Sequence, residues 1–271
     1  MYPLYIAMKN NRFIKWRLKD IYDVYYNSAC KSIPTNPNNE LQLFSNLNED
    51  GIILWVVATL GIKKGYFVDI GSNDCINSNC ANLAFNFNWD GIFIDSDEKL
   101  LQIGKRNYKR FGKLKKNDLQ FVCSFITPEN INNLLEKTVK AEVDFLSIDI
   151  DGNDYEILEA LHVIQPKIIV IENKVEYGNH DIAITKRSGK GFEQADLGAS
   201  PYTMTKLAET KGYTLIAANK YGFNTFYLRN NLVSKLIPPL AIQTLLSDPK
   251  ISKDFYPEQR IRQLKNQLAM Q

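Results

Sequence analysis

The sequence has no apolar run long enough to cross a bilayer and almost no net charge. Its most apolar stretch, 52–60 (IILWVVATL), is less than half of the roughly 20 residues that a membrane-spanning helix needs, so we interpret it as a buried helix. The net charge of +3, from 33 basic and 30 acidic residues, is too small to hold a nucleic acid by itself. We therefore expect no membrane span and no nucleic-acid partner.

Cysteine is also scarce. The 271 residues include four cysteines, at positions 30, 75, 80 and 123, with neither CxxC spacing nor the density of a disulfide scaffold. This usage is typical of a reducing compartment. Core-forming material is abundant, because 45% of the residues are hydrophobic and 23% are charged. These values predict a folded, cytoplasmic protein with one full core.

The N-terminal segment combines basic and aromatic residues. Five basic residues lie among Phe13, Ile14, Trp16 and Leu18, and no apolar segment follows them, so a secretory signal is not indicated. The pattern fits a helix with a solvated face. It also fits an amphipathic helix that makes peripheral contact with an anionic membrane, and the sequence leaves both interpretations open.

From residue 65 onward, apolar β-branched runs alternate with segments of helical periodicity. This alternation predicts a parallel sheet covered by helices on both faces. We predict strands at 66–70, 92–95, 119–123, 143–149 and 167–172. A long segment, 173–199, follows the fifth strand, and loops of that length inside a domain are usually functional.

The end of the sheet is predicted to differ from its beginning. Four residues separate the last two strands, 213–218 and 223–228, which is too few for a parallel crossover, so these strands must pair antiparallel. A mostly parallel α/β sheet with a terminal antiparallel hairpin is the Rossmann-like class I methyltransferase architecture. We assign this domain to 41–231, after a helical N-terminal extension and linker (1–40) and before a C-terminal helical tail (232–271).

The first predicted strand ends in a turn with the sequence DIGSND. Gly71 permits a close approach of the backbone to a ligand, and no GxGxxG phosphate cradle is present. The side chains of Asp69, Asn73 and Asp74 suit a cationic amino-acid ligand better than a pyrophosphate. S-adenosylmethionine carries an ammonium and a sulfonium, so it is the cofactor that we predict. The alternative is a tight turn whose aspartate is satisfied locally.

The ends of the next two strands supply candidate contacts to an adenosine. Asp95 closes the second strand, where an acid can accept both hydroxyls of a ribose, and Ser96 follows it. Cys123 and Ser124, at the end of the third strand, would flank the adenine. For Cys123, a small core residue is an equally good interpretation.

Carboxylates follow the fourth and fifth strands. Asp149, Asp151 and Glu172 would repel one another beyond the carboxyl edge of the sheet unless a cation lies among them. With Asn173 they would suit Mg²⁺ or Mn²⁺. We therefore expect Asp149, Glu172 and Asn173 as metal ligands, and Asp149 and Glu172 as catalytic residues. Alternatively, Asp151 caps the next helix and Glu172 pairs with a lysine such as Lys174.

The chain has only two histidines. His162 lies beside apolar residues and is interpreted as a packed or a helix-end histidine. His180 lies in the long segment after the fifth strand, where an imidazole could take a proton from a substrate hydroxyl. His180 is therefore a third candidate catalytic residue, with a solvent-exposed loop histidine as the alternative.

Together these segments resemble the FkbM-like class I S-adenosylmethionine-dependent methyltransferases, especially a branch found among surface-glycan biosynthesis proteins. The resemblance spans about 41–231 and rests on LFSNLNEDGI, YFVDIGSNDCINSN, WDGIFIDSDE, FLSIDIDGNDYEIL, IIVIEN, DLGAS and KGYTLIAANKYGFNTFYLRNNL. It implies that Asp69, Gly71, Asn73 and Asp95 belong to the cofactor motif and that Glu49 contacts the cofactor from above. The chain departs from its relatives at Cys75, where they often have glycine.

The resemblance also implies a function, since members of this family methylate hydroxyl groups, commonly on sugars. The first hypothesis is an S-adenosylmethionine-dependent O-methyltransferase acting on a surface glycan or its precursor. The end-of-strand pattern of Asp149 with Glu172 and Asn173 is positionally similar to the metal triad of catechol O-methyltransferase. The second hypothesis is a non-catalytic Rossmann-like module that binds a glycosyltransferase or glycan, and the third is a nucleotide-dependent oxidoreductase. The acceptor and the oligomeric state stay open.

Overall fold

A computed structural model describes residues 11–188 and 191–270. Residues 1–10 of the predicted extension and Gly189 of the long segment lie outside the described residues. The helices are α1 (Arg12–Cys30), α2 (Glu49–Thr59), α3 (Ala81–Phe87), α4 (Glu98–Arg110), α5 (Ile131–Thr138), α6 (Asp154–Ala160), α7 (Pro201–Thr210), α8 (Ile242–Leu246), α9 (Pro249–Ser252) and α10 (Glu258–Ala269). The strands are β1 (Tyr66–Ile70), β2 (Asp90–Asp95), β3 (Leu119–Cys123), β4 (Phe145–Ile148), β5 (Ile168–Glu172), β6 (Ala183–Ile184), β7 (Gly198–Ala199), β8 (Tyr213–Ala218) and β9 (Asn224–Arg229).

Seven of these strands form one sheet in the order β3-β2-β1-β4-β5-β9-β8. The first five are parallel, and β9 is antiparallel to both β5 and β8. This arrangement confirms the predicted fold, including the closing hairpin. The fourth strand is shorter than predicted, since it ends at Ile148, which leaves Asp149 just beyond the edge of the sheet. The order reverses between β1 and β4, and ligands of open α/β sheets bind at such a point.

One face of the sheet is covered by α1, α2, α3 and α4. Helix α2 is buried on all sides from Ile52 to Ala58, which confirms the interpretation of its apolar run as a buried helix. Beneath it, an aromatic stack joins Phe44, Phe85 and Tyr108, whose neighbouring ring centroids lie 5.4 and 4.2 Å apart. Among the described residues, no helix is both long and apolar enough to span a membrane.

The long segment after β5 folds over the carboxyl edge of the sheet. It contains the two-stranded ribbon of β6 and β7, which pair antiparallel. Helix α10 packs on this segment through Ile261 and Leu264, which join a small cluster with Tyr177, Ile182 and Ile184. The C-terminal tail thereby supports the segment that covers the edge of the sheet.

The aromatic stack generates a prediction about stability. Phe85 is fully buried between two rings, so Phe85→Ala should lower the free energy of unfolding by about 3–5 kcal/mol, as expected for a large core cavity. The matched control is Phe13→Ala, because Phe13 is 66% exposed and its removal should cost at most about 0.5 kcal/mol. Urea unfolding followed by circular dichroism measures both, and equal losses would contradict the prediction.

Candidate functional site

A polar cleft beside the reversal point opens above the carboxyl ends of β1 to β4. Its volume is about 430 Å³. It is lined by Asn46, Gly71, Asn73, Asn77, Ile94, Asp95, Ser96, Leu100, Ser124, Phe125, Ile126, Asp149, Ile150, Asp151, Asn153 and Lys186. We call it the first cavity. Gly71, Asn73, Asp95, Ser96 and Ser124, all predicted as cofactor contacts, line it together.

The floor of the first cavity depends on glycine at position 71. Gly71 has a φ of +82°, and a Cβ at this position would lie 1.7 Å from the backbone oxygen of Asp149. The backbone of Asp149 in turn donates to the carbonyl of Ile70 at 3.0 Å. No residue with a side chain fits between the two strand ends, so Gly71 permits β1 and β4 to present their loops side by side.

Asp95 holds a fixed position at the opposite wall. Its Oδ2 accepts a hydrogen bond from the backbone of Asn73 at 2.7 Å, and its Oδ1 accepts one from the backbone of Asp97 at 2.8 Å. The carboxylate is half-buried and lines the first cavity. A carboxylate oriented in this way retains free lone pairs with which it can accept ribose hydroxyls.

The end of the cleft next to Ser124 is more apolar than the sequence predicts. Leu100, Phe125 and Ile126 line it beside Ser124, and the Phe125 ring is 60% exposed. None of these three residues was predicted. Phe125 could have been predicted from the sequence, because it directly follows Ser124 at the end of the third strand.

Asp69 and Asp74 do not line the first cavity. Asp74 accepts hydrogen bonds from the backbone of Ile76 and Asn77, both at 2.9 Å, and so stabilises the turn after β1. Asp69 is buried and lines a smaller chamber of about 30 Å³ next to the first cavity. Ser78 donates to Asp69 at 2.5 Å. Whether either aspartate contacts the cofactor stays a prediction.

Glu49 reaches the same chamber from helix α2. It is 1% exposed, and its carboxylate accepts hydrogen bonds from Asn219 at 2.8 Å, from Asn224 at 3.1 Å and from the backbone of Leu47 at 2.7 Å. The resemblance placed Glu49 over the cofactor, and the structure places it against the chamber wall. Its hydrogen bonds also tie α2 to the turn between β8 and β9.

The loop after β1 carries a strained residue. Cys75, where relatives often have glycine, has a φ of +59°, a conformation that costs a residue with a side chain about 1 kcal/mol or more. Its thiol is fully buried, and Tyr108 donates a hydrogen bond to its carbonyl at 2.9 Å. The surrounding packing therefore holds Cys75 in this conformation.

Three carboxylates meet beyond the ends of β4 and β5. Oxygen atoms of Asp149, Asp151 and Glu172 lie within 4.8 Å of one another. Asp149 lines the first cavity, Glu172 lines a second cavity of about 580 Å³, and Asp151 lines both. Burial, and then the neighbouring carboxylates, raise the pKa of Asp149 and of Glu172 well above the ordinary range. A proton or a cation is needed to relieve this repulsion.

Neither alternative role for the carboxylates matches the contacts. Asp154, the first residue of α6, accepts the backbone hydrogen bonds of Ile150 and Gly152, at 2.9 and 3.0 Å, and no side-chain hydrogen bond from Asp151 caps this helix among the described residues. Lys174 pairs with Glu176 at 3.1 Å, although its charge still lowers the pKa of Glu172 somewhat.

Asn173, the third predicted metal ligand, lies in the lining of the second cavity. Its amide nitrogen donates to Thr225 Oγ1 at 2.8 Å. Its amide oxygen is buried and has no hydrogen-bond partner among the described residues. An unpartnered oxygen is available as a ligand, so Asn173 stays a candidate.

The two histidines lie away from the carboxylates. His180 lines neither cavity, and its Nε2 lies 3.3 Å from Glu258 Oε1 of α10. His162 is exposed beyond the end of α6, and its Nδ1 lies 3.0 Å from the carbonyl of Ala160. Of the two interpretations of His162, the structure matches the helix-end residue and not the packed one, because the helix ends at Ala160.

The sequence from residue 36 to residue 185 matches the model of the family described as "Methyltransferase FkbM domain". The match covers more than half of the chain, so the chain belongs to this family. With the seven-stranded sheet described above, it is a class I S-adenosylmethionine-dependent methyltransferase. The resemblance to the FkbM-like family, the fold class and the enzyme class are thus confirmed. None of the curated proteins compared with the chain matches it.

Several solved structures are similar to the chain. Cofactor-bound Rv0187 from MTB has 12% sequence identity and a TM-score of 0.46, over 84% of this chain and 96% of its own. The O-methyltransferase TomG from Streptomyces achromogenes, in complex with SAM, has 15% identity and a TM-score of 0.44, over 77% and 89%. The O-methyltransferase from Bacillus cereus, in complex with SAH, has 14% identity and a TM-score of 0.43, over 78% and 88%. Scores of this size add no weight to the family assignment.

The position of Asp95 generates a prediction about cofactor affinity. Asp95→Asn should weaken binding of S-adenosylhomocysteine by about 1–3 kcal/mol, because the charged acceptor facing the ribose site is lost. The matched control is Asp97→Asn, which removes a neighbouring exposed charge and preserves the helix cap. Calorimetric titration measures both, and unchanged affinity in Asp95→Asn would contradict the assignment.

The burial of Asp69 generates a prediction about pH. Burial raises the pKa of Asp69 to about 7 from a model-peptide value of 3.8, despite hydrogen bonds from Ser78 and Ser147. Asp69 therefore contributes stability at low pH that is lost as the pH rises through about 7. In the cofactor-free protein, the free energy of unfolding of the wild type relative to Asp69→Asn should fall as the pH rises from about 4 to about 7. Urea midpoints across the range measure this, and a constant difference would contradict it.

Proposed function

We propose that this methyltransferase transfers a methyl group to a hydroxyl of a sugar, or of a related polar group, on a surface glycan or its precursor. We further propose that a divalent cation assists at the carboxylate cluster of Asp149, Asp151 and Glu172. The observation that carries the proposal is the position of this cluster, where two cavities adjoin. A donor and an acceptor bound in the two cavities would meet at these carboxylates.

The first cavity fits the cofactor. Asp95 would accept the ribose hydroxyls, and Leu100, Phe125 and Ile126 would contact the adenine. Acidic side chains, including Glu49 and Asp69, line the adjoining small chamber and suit the ammonium of the amino-acid part. When bound, S-adenosylmethionine supplies a methyl group activated by its sulfonium.

The second cavity fits a polar acceptor. Its lining includes the side chains of Asp154, Asn173, Lys174 and Gln194, together with the apolar side chains of Ala195 and Leu197. Several convergent donors and acceptors match the many hydroxyls of a sugar better than they match an aromatic substrate. Gln194 is held toward the cluster, since its amide donates to the carbonyl of Asp151 at 2.9 Å.

The carboxylates also fit a hard divalent cation. Asp149, Asp151 and Glu172 would each offer an oxygen, and the unpartnered oxygen of Asn173 is nearby in sequence and in the cavity lining. Oxygen donors of this kind suit Mg²⁺ or Mn²⁺. When bound, the ion would supply Lewis acidity that makes a nearby hydroxyl more acidic.

The residues of the chain would perform three tasks in the transfer. Gly71 and Asp95 would orient the donor, and the second cavity would orient the acceptor hydroxyl. Asp149 would accept the hydroxyl proton, because its carboxylate lies at the place where the two cavities adjoin. The position of His180 outside both cavities favours Asp149 over His180 for this role. The segment over the sheet edge would exclude water.

We also propose that the protein acts in the cytoplasm. All four cysteines are free, and two of them, Cys30 and Cys123, are exposed. Exposed thiols persist in reducing compartments.

The carboxylate cluster generates a prediction about activity. Asp149→Asn should lower turnover by about 10²–10⁴-fold, because the proton acceptor and one metal ligand are lost together. Binding of S-adenosylhomocysteine should change much less. EDTA should abolish methyl transfer, and Mg²⁺ or Mn²⁺ should restore it.

The assay uses radiolabelled S-adenosylmethionine with a panel of sugars and nucleotide-sugars as acceptors. The matched control is Glu209→Gln, which removes an exposed carboxylate on α7. Full activity in EDTA would overturn the metal assignment, and transfer to non-hydroxyl acceptors alone would overturn the proposed acceptor class.

A further inference from the structure

Helix α1 exposes apolar side chains on its outward face. Phe13, Trp16 and Val24 are 66%, 58% and 56% exposed, and their spacing places them on one side of the helix. The Phe13 and Trp16 rings contact each other, with centroids 6.1 Å apart. The opposite side of α1 is buried through Leu18 and Tyr22. Packing onto the domain therefore accounts for the apolar residues on the inner face of α1, but it does not account for those on the outer face.

The first eight residues of α1 contain both exposed rings together with four basic residues, Arg12, Lys15, Arg17 and Lys19. Arg12, Lys15 and Lys19 form no ion pair with any carboxylate in the described residues, whereas Arg17 pairs with Asp20 at 3.3 Å. The first turn of α1 has no acidic residue. Cations at a helix N-terminus are unfavourable, because that end carries the positive pole of the helix dipole. Helix stability therefore does not explain this charge pattern.

One exposed lysine, Lys116, extends the basic surface from the segment after α4, and the buried Lys113 lies close to it. Lys113 is 3% exposed, and its ammonium donates to Asn88 Oδ1 at 3.1 Å. Burial and the nearby charges of Lys15 and Lys116 lower the pKa of Lys113 to about 7. None of these three lysines has a carboxylate partner among residues 11–188 and 191–270. The repulsion among them would be relieved by an anion from another molecule.

We propose that α1, together with Lys116, is a docking surface for an anionic lipid membrane. Phe13 and Trp16 would enter the interfacial layer, and the surrounding cations would contact headgroup phosphates. The exposed apolar side chains favour lipid over nucleic acid, because a membrane offers an apolar layer beneath its phosphates. This proposal is independent of the methyl acceptor.

The experiment measures sedimentation of the full chain with lipid vesicles, together with tryptophan fluorescence. The chain has three tryptophans, and Trp55 and Trp89 are buried at 3% and 0% exposure. A change in emission on binding therefore reports Trp16. We expect binding and a blue shift with vesicles of phosphatidylglycerol mixed equally with phosphatidylcholine. We expect neither with phosphatidylcholine alone, and we expect added salt to weaken the binding.

Paired variants identify the surface. Lys15→Gln with Lys19→Gln should weaken vesicle binding by about fivefold for each cation removed. The matched control is Lys250→Gln with Lys253→Gln, which removes the same charge from exposed positions at α9 and should have little effect. Phe13→Gln with Trp16→Gln should also weaken sedimentation. All variants should keep the circular dichroism spectrum and the S-adenosylhomocysteine affinity of the wild type.

Three outcomes would overturn the proposal. The first is failure of the wild type to sediment with anionic vesicles. The second is an equal loss of binding in the control at Lys250 and Lys253. The third is displacement of the protein from vesicles by a single-stranded oligonucleotide at a lower concentration than the lipid, which would assign the surface to nucleic acid instead. Failure of methyl transfer to sugars would leave the proposal unaffected.

Discussion

The close approach of two strand ends is the constraint on which the site depends. Because Gly71 has no side chain, the backbone at the end of β1 lies directly against the backbone of Asp149 at the end of β4. The first cavity opens above this contact, and the carboxylate cluster begins at the same residue. A larger residue at position 71 would separate the two strands, and it would disturb both the floor of the first cavity and the proposed reaction centre.

Electrostatic repulsion is the second organising feature. The cluster of Asp149, Asp151 and Glu172 is costly in the cofactor-free protein, since burial and like charge both raise pKa values there. The fold tolerates the cost because Lys174 and the backbone hydrogen bonds to Asp154 offset part of it. Electrostatic repulsion of this kind is typical of sites in which a bound ligand supplies the compensating positive charge.

The sequence was a good guide wherever local pattern and topology decide structure. The alternation of strands and helices predicts the sheet and its closing hairpin, and strand ends locate Gly71, Asp95 and Asp149. It was a poor guide to Lys186 and Gln194, because a long segment without periodicity gives no sign of how it folds back. The hydrogen bonds of Asp74 could not be predicted either, because they depend on the path of the backbone in the turn after β1.

The hydrogen bonds of Glu49 join distant parts of the chain. Its carboxylate, near the start of the domain, accepts from Asn219 and Asn224, which belong to the last hairpin. The chamber beside the first cavity has walls from both regions. A ribosome-bound chain would therefore lack a complete chamber until that hairpin had emerged from the exit tunnel. Nascent fragments that end earlier would leave Glu49 without its amide partners, so the chamber is completed late in biosynthesis.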